Sequence, residues 1–188
     1  MRYLAKGIVQ EQSTEHILRI NHFGSEFVLT GIQAGLWLDA RLHIAETDGK
    51  NYIEEKELRH LLKMELVEEV EPGPVGEYRA LTHCIIVPTQ YRGISLPLTS
   101  DEKYMLQWIS GAGLRLTMAE LVYLEEHKLE PTPEWLGEEN RQKLTERIYT
   151  QDTIFDNILE TQMEAAACRD HAVKMVLSLL RKKRILLL

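Results

Sequence analysis

A chain of 188 residues with 44% hydrophobic and 27% charged side chains can bury one core or two without disulfides or metal, and this composition excludes a disordered chain. Asp and Glu number 29 against 22 Lys and Arg, a net charge of −7 shared by both halves, so the surface as a whole is not built to attract nucleic-acid phosphate. Cys84 and Cys168 stand far apart and exclude a disulfide framework, and no run approaches the ~20 apolar residues of a membrane helix.

The start of the chain, MRYLAKGIVQEQSTEH, has no leader-like apolar run. A cytoplasmic protein with free thiols and no membrane partner is expected. Ile17-Leu18-Arg19-Ile20 and Glu26-Phe27-Val28-Leu29 alternate about Phe23-Gly24-Ser25, which predicts a hairpin with Gly24 at the turn. From Thr30 the period becomes helical. Ile32, Leu36, Leu38, Leu42 and Ala45 recur between a Thr30 N-cap and a stop at Asp48-Gly49.

A second helix is predicted from Ile53 to Leu66. Leu58, Leu61 and Leu62 fall on one side of its wheel, and Lys56, Arg59, His60 and Lys63 gather on the other. Leu66–Val70 then reads as a strand, Pro72–Gly76 as a turn and Tyr78–Val87 as a returning strand closed by Pro88. This segment holds Glu65, Glu68, Glu69, Glu71 and Glu77 against Arg79.

Gly93, Pro97, Thr99 and Ser100 mark a linker, which divides the chain into an N-terminal domain, residues 1–92, and a second, mainly helical domain, residues 93–188. Leu98–Gln107 and Leu116–Leu129 lie over Leu29–Leu38 and Ile53–Leu66, consistent with either a duplication or two unrelated amphipathic helix pairs. Thr132-Pro133-Glu134 is a helix start, followed by Trp135, Leu136, Leu144 and Ile148. From Ile154 to Arg184, Phe155, Leu159, Gln162, Ala166, Val173, Leu177 and Leu180 keep helical spacing. A continuous helix there would be about 45 Å long, so it either breaks near Cys168-Arg169-Asp170 or packs against a second copy in a homodimer.

Signals for catalysis are weak, and no enzyme, cofactor or metal site is predicted. Gly111-Ala112-Gly113 lacks the third glycine and the strand of a dinucleotide site and reads as a helix-ending turn. His83 and Cys84 are adjacent in a predicted strand and would point to opposite faces, and Cys168 with His171 lacks further ligands. Trp37 and Trp108 fall in apolar helical registers and are assigned to core, while Trp135 is a candidate contact residue. Arg181, Lys182, Lys183 and Arg184 suit the C-terminus of a helix, with Ile185–Leu188 as a short strand, or alternatively form a phosphate-binding patch.

The order helix, helix, strand, turn, strand, with the pattern Leu-Val…Gly-Glu-Tyr-Arg-Ala-Leu-Thr, resembles the winged helix-turn-helix superfamily over residues 27–88 and partly from 98. The resemblance implies an α+β fold, mainly α with small β: tandem winged-helix-like domains plus a long C-terminal helix. It implies that Lys56, Arg59, His60 and Lys63, with Arg181–Arg184 as a further patch, meet nucleic acid. Two functions are expected from it: a DNA-binding transcriptional regulator acting as a dimer, or an acidic protein–protein assembly subunit that does not bind DNA. An ordinary solvated helix face remains open for the α-helical cations.

Overall fold

The computed structural model describes residues 1–10, 17–89, 96–111, 116–137, 142–143, 146 and 163–188. The fold is α+β, with small antiparallel sheets packed among helices. Strand β1 (Arg2–Ala5) runs into β2 (Ile8–Val9), and β3 (Ile17–His22) returns through β4 (Ser25–Thr30) in the hairpin that the alternation predicts. Phe23 and Gly24, both at positive φ (49° and 84°), form its two-residue turn. Leu18, Ile20 and Leu29 point inward and are buried.

Helix α1 (Gly31–Asp39) follows at once, and Ala40 is its C-cap. The helix therefore stops short of the predicted Ala45, which lies instead in β5 (Ala45–Glu46) opposite Tyr3 of β1. A strand partner for β1 and burial of Ala45 to 2% exposure outweigh continuation of the helical period. Helix α2 (Tyr52–Lys63) begins on Asn51, whose side chain accepts from the Ile53 and Glu54 amides, and buries Leu58 and Leu61.

The predicted wing does not form. Its first strand exists as β6 (Val67–Glu69), but β6 pairs antiparallel with β1, on the side opposite β5. The predicted return over Tyr78–Val87 is mostly helix α3 (Pro74–Thr82). Pro74 at the first helical turn and Glu77 beside the N-terminal dipole start that helix, and Ala80 and Leu81 are buried on it. Gly76 is a packing glycine: a Cβ there would stand 2.2 Å from the Glu71 carbonyl oxygen. Three of the five glutamates of this segment find partners within the fold. Glu68 meets Lys6 at 2.9 Å, Glu77 meets Arg2 at 2.8 Å and Glu71 meets Arg79 at 3.6 Å.

Only β7 (Ile86–Pro88) remains of the returning strand, and it pairs with β8 (Ile185–Leu187), the short strand expected after the basic cluster. Between them lie α4 (Ser100–Gly111), α5 (Met118–Glu126), the short α6 (Pro133–Leu136) and α7 (Met163–Arg181). Reciprocal Thr117–Glu120 hydrogen bonds box the start of α5, and α7 packs on α3, α4 and α5. The predicted helix positions Phe155, Leu159 and Gln162, and also Leu144, Ile148, Ala112 and Gly113, lie outside the described residues. No helix among the described residues is long and apolar enough to cross a membrane.

Two cores result. One gathers Tyr3, Ala5, Leu18, Ile20, Leu29, Trp37, Leu58 and Leu61; the other gathers Leu4, Val70, Leu81, Ile86, Trp108, Leu121, Val176 and Leu187. Trp37 and Trp108 are thus core, as their registers predict, and Trp135 packs partly buried against the second core. Within that core Glu102 is 2% exposed and accepts from Ser178 Oγ at 2.6 Å and from Lys182 Nζ at 2.7 and 2.6 Å. Burial pushes its pKa up, but the Lys182 and Ser178 bonds and the Thr99 amide outweigh burial and hold it at about 2.

A carboxyl whose pKa is depressed on folding stabilises the fold above its unfolded pKa and loses that contribution as pH falls through the folded value. Stability should therefore drop between about pH 4.5 and pH 2. Glu102→Gln should flatten that acid limb and cost about 3 kcal/mol at pH 7 by leaving Lys182 without its carboxylate; denaturant titrations across pH measure both effects.

Candidate functional site

Helix α2 presents the four cations predicted for nucleic acid on one solvent face. Lys56, Arg59, His60 and Lys63 are all exposed and line one surface groove of about 320 Å³. The groove also contains Glu55 and Glu57. Arg59 meets Glu55 at 2.6 Å, and Gln33 of α1 donates to Glu57 at 2.6 Å and lies 3.1 Å from His60 Nδ1. The face is therefore mixed in charge rather than a cationic stripe.

The second predicted cluster is divided by folding. Arg181 and Lys183 are exposed, but Lys182 turns inward to Glu102 and to the Pro97 carbonyl, and Arg184 is half-buried. Lys183 sits at positive φ (59°), where the chain leaves α7 for β8. These residues serve chiefly to end a helix and start a strand.

A larger concavity lies where α1, β5 and the first turn of α2 meet. It is an open hollow of about 1020 Å³ over Tyr3, Ile32, Leu36, Tyr52 and Ile53; Asp39, Glu46, Asp48 and Glu54 stand around it, with Lys50 3.4 Å from Asp48. Tyr52, Ile53 and Ile32 are 77%, 56% and 42% exposed, although the rest of α2 hides its apolar side chains well. The buried Tyr3 phenol is pushed up to about 12, by burial first and then by the Asp39 and Glu54 carboxylates, which report a negative field at the floor of the cleft.

β5 is the edge strand of its sheet. Met1 and Thr47 exchange backbone hydrogen bonds, so Glu46, opposite Arg2, turns its own N–H and C=O toward the open edge. Sequence reasoning missed this site. Its one local signal is that Tyr52 and Ile53 are apolar off the Leu58–Leu61 face of the wheel; the strand beside them forms only through pairing with Arg2 and Tyr3, 44 and 42 positions away.

The remaining reactive side chains are structural. His83 and Cys84 are not in a strand: His83 caps α3 and lies 2.7 Å from Glu68, and Cys84 is buried with its thiol donating to the Ala80 carbonyl. Burial raises that thiol to about 12, which leaves it protonated and unreactive. His171 of α7 lies 3.4 Å from Asp101 and 3.0 Å from Glu125, linking three helices rather than joining Cys168. Among the described residues no group of three or more His, Cys, Asp and Glu is arranged to hold a metal ion.

Compared with protein-family models, curated proteins and solved structures, the chain matches none. The two faces of α2 differ sharply in what they contribute to stability. Arg59→Ala, which removes an exposed i,i+4 pair, should cost no more than about 0.5 kcal/mol, and Leu61→Ala on the buried face about 2–5 kcal/mol; urea denaturation compares them.

Proposed function

We propose that this protein is an interaction module, an acidic assembly subunit that grips a segment of a protein partner in the cleft between α1, β5 and α2. The observation that carries this reading is the exposed Tyr52–Ile53–Ile32 surface inside a mainly acidic ring, Asp39, Glu46 and Glu54, with Asp48 paired to Lys50. An apolar surface of this kind gains from being covered, and the ring selects a partner with Lys or Arg flanking its apolar anchors. The helix pairs α1–α2 and α4–α5 are read as tandem winged-helix-like units, with α3 standing where a first wing would return.

The apolar face of α7 from Ala172 to Leu180 is covered by its own chain, so it supports a homodimer through that helix poorly. A second reading, a DNA-binding regulator of winged-helix type, is favoured by the shared exposed face of Lys56, Arg59, His60 and Lys63. Its support is reduced by Glu55 and Glu57 on the same face and by the net charge of −7.

The readings are separated by two measurements. Purification from native cells should recover a complex, and Tyr52→Ala with Ile53→Asp should release the partner while circular dichroism stays unchanged; a lone monomer with the unmodified chain would remove the interaction reading. In fluorescence anisotropy at low salt, random-sequence DNA should not bind. Salt-dependent binding lost in Lys56→Ala, Arg59→Ala, Lys63→Ala would establish the regulator instead.

A further inference from the structure

A third cavity, separate from the cleft and from the α2 face, has the opposite chemistry. It encloses about 300 Å³ between β2, the end of α1 and β8, at the lower end of the size of small-molecule sites. Its wall is aliphatic, from Ile8, Val9, Leu42 and Leu186, its floor is the Trp37 ring, and Arg41 and Lys183 are the cations that line it. The Trp37 indole N–H is directed away, donating to the Lys6 carbonyl at 3.0 Å, so the ring offers the cavity only an apolar face. No Asp or Glu side chain lines it among the described residues.

Arg41 stands over this floor with its guanidinium carbon 6.0 Å from the centre of the Trp37 ring. In a chain with a net charge of −7, Arg41 forms no ion pair with any described acidic side chain. Arg41 is exposed to solvent on the rim, and the part of it that packs against the protein lowers its pKa without making it neutral. A helix C-terminus favours a cation at this position, but the dipole does not require it to lie on the rim of an apolar cavity. A guanidinium on the rim of a hydrocarbon-lined hollow is matched by a planar anion, which accepts its paired N–H groups, attached to an apolar tail.

We propose that the cavity binds a small amphiphilic carboxylate, with its aliphatic tail against Trp37, Val9 and Leu186 and its carboxylate on Arg41. Gly7 and Thr89 fix the frame. Gly7 N–H donates to the Leu187 carbonyl at 2.7 Å, which holds β8 against the start of the chain, and Thr89 Oγ donates to the Lys183 carbonyl at 2.6 Å, which ties the end of β7 to the turn before β8. The site therefore exists in the folded chain and does not depend on a partner in the cleft.

The test is a nitrogen–proton correlation spectrum of the full chain titrated with octanoate and, separately, 1-octanol, with the Trp37 indole N–H as reporter. Octanoate should give a saturable shift and bind about tenfold more tightly than the alcohol. Arg41→Ala should remove that tenfold preference and leave the alcohol unchanged, Arg41→Glu should abolish octanoate binding, and Lys56→Ala on the α2 face should change neither. Absence of a saturable shift with octanoate, equal affinities for acid and alcohol, or unchanged octanoate affinity in Arg41→Ala would each overturn the proposal. None of these results depends on whether a protein partner occupies the cleft.

Discussion

Everything else in this structure hangs on β1, four residues that form the middle strand of a three-stranded sheet and separate two cores. The alternation of a strand sends Tyr3 and Ala5 to one side and Leu4 to the other, and all three are buried. The same segment holds the ends of both N-terminal helices. Ala5 donates to the Ala40 carbonyl after α1, Lys6 to the Leu66 carbonyl after α2, and the Lys6 carbonyl receives the Trp37 indole. Burial of side chains this size is worth about 1.5–3 kcal/mol each, so the sheet acts as a shared wall that both helical layers need.

That wall also sorts the charges. Arg2 and Lys6, on either side of the strand's apolar centre, take up Glu77 and Glu68, and Arg79 takes up Glu71. Three of the five glutamates that follow α2 are thereby paired within the molecule. Around the cleft the carboxylates Asp39, Glu46 and Glu54 face outward, and around the cavity the cations Arg41 and Lys183 do. Both sites are built on α1 and β1: Leu36 and Asp39 face the cleft, whereas Trp37 and Arg41 face the cavity, one residue and two residues further on. Their chemistry differs because successive helical positions face different neighbours.

Much of the local structure is legible in the residues. The β3–β4 hairpin follows from strict alternation around Phe23-Gly24, α2 from its Leu58–Leu61 stripe, and the terminal strand from four aliphatic residues after a basic helix end. Tyr78–Val87 is not legible in this way. Its aromatic and β-branched residues suit a strand locally, but Ala80 and Leu81 bury against α5 and α7 only when the backbone is helical. Ala45 fits the period of α1 and yet completes a sheet with Tyr3. In both places long-range packing outweighs a propensity worth at most about 1 kcal/mol.

The sequence by itself determined which residues are apolar on one side of a helix or strand, where the β3–β4 turn falls, and that Lys56, Arg59, His60 and Lys63 share a face, because these depend on spacing within a few residues. Only the tertiary structure decided that β6 pairs with β1 instead of forming a wing, that Lys182 leaves its basic cluster for Glu102, and that a cleft and an Arg41 cavity flank α1. Each of these joins residues dozens of positions apart. Such pairings are settled by which surfaces bury each other most completely, and that competition leaves no periodic trace in the chain.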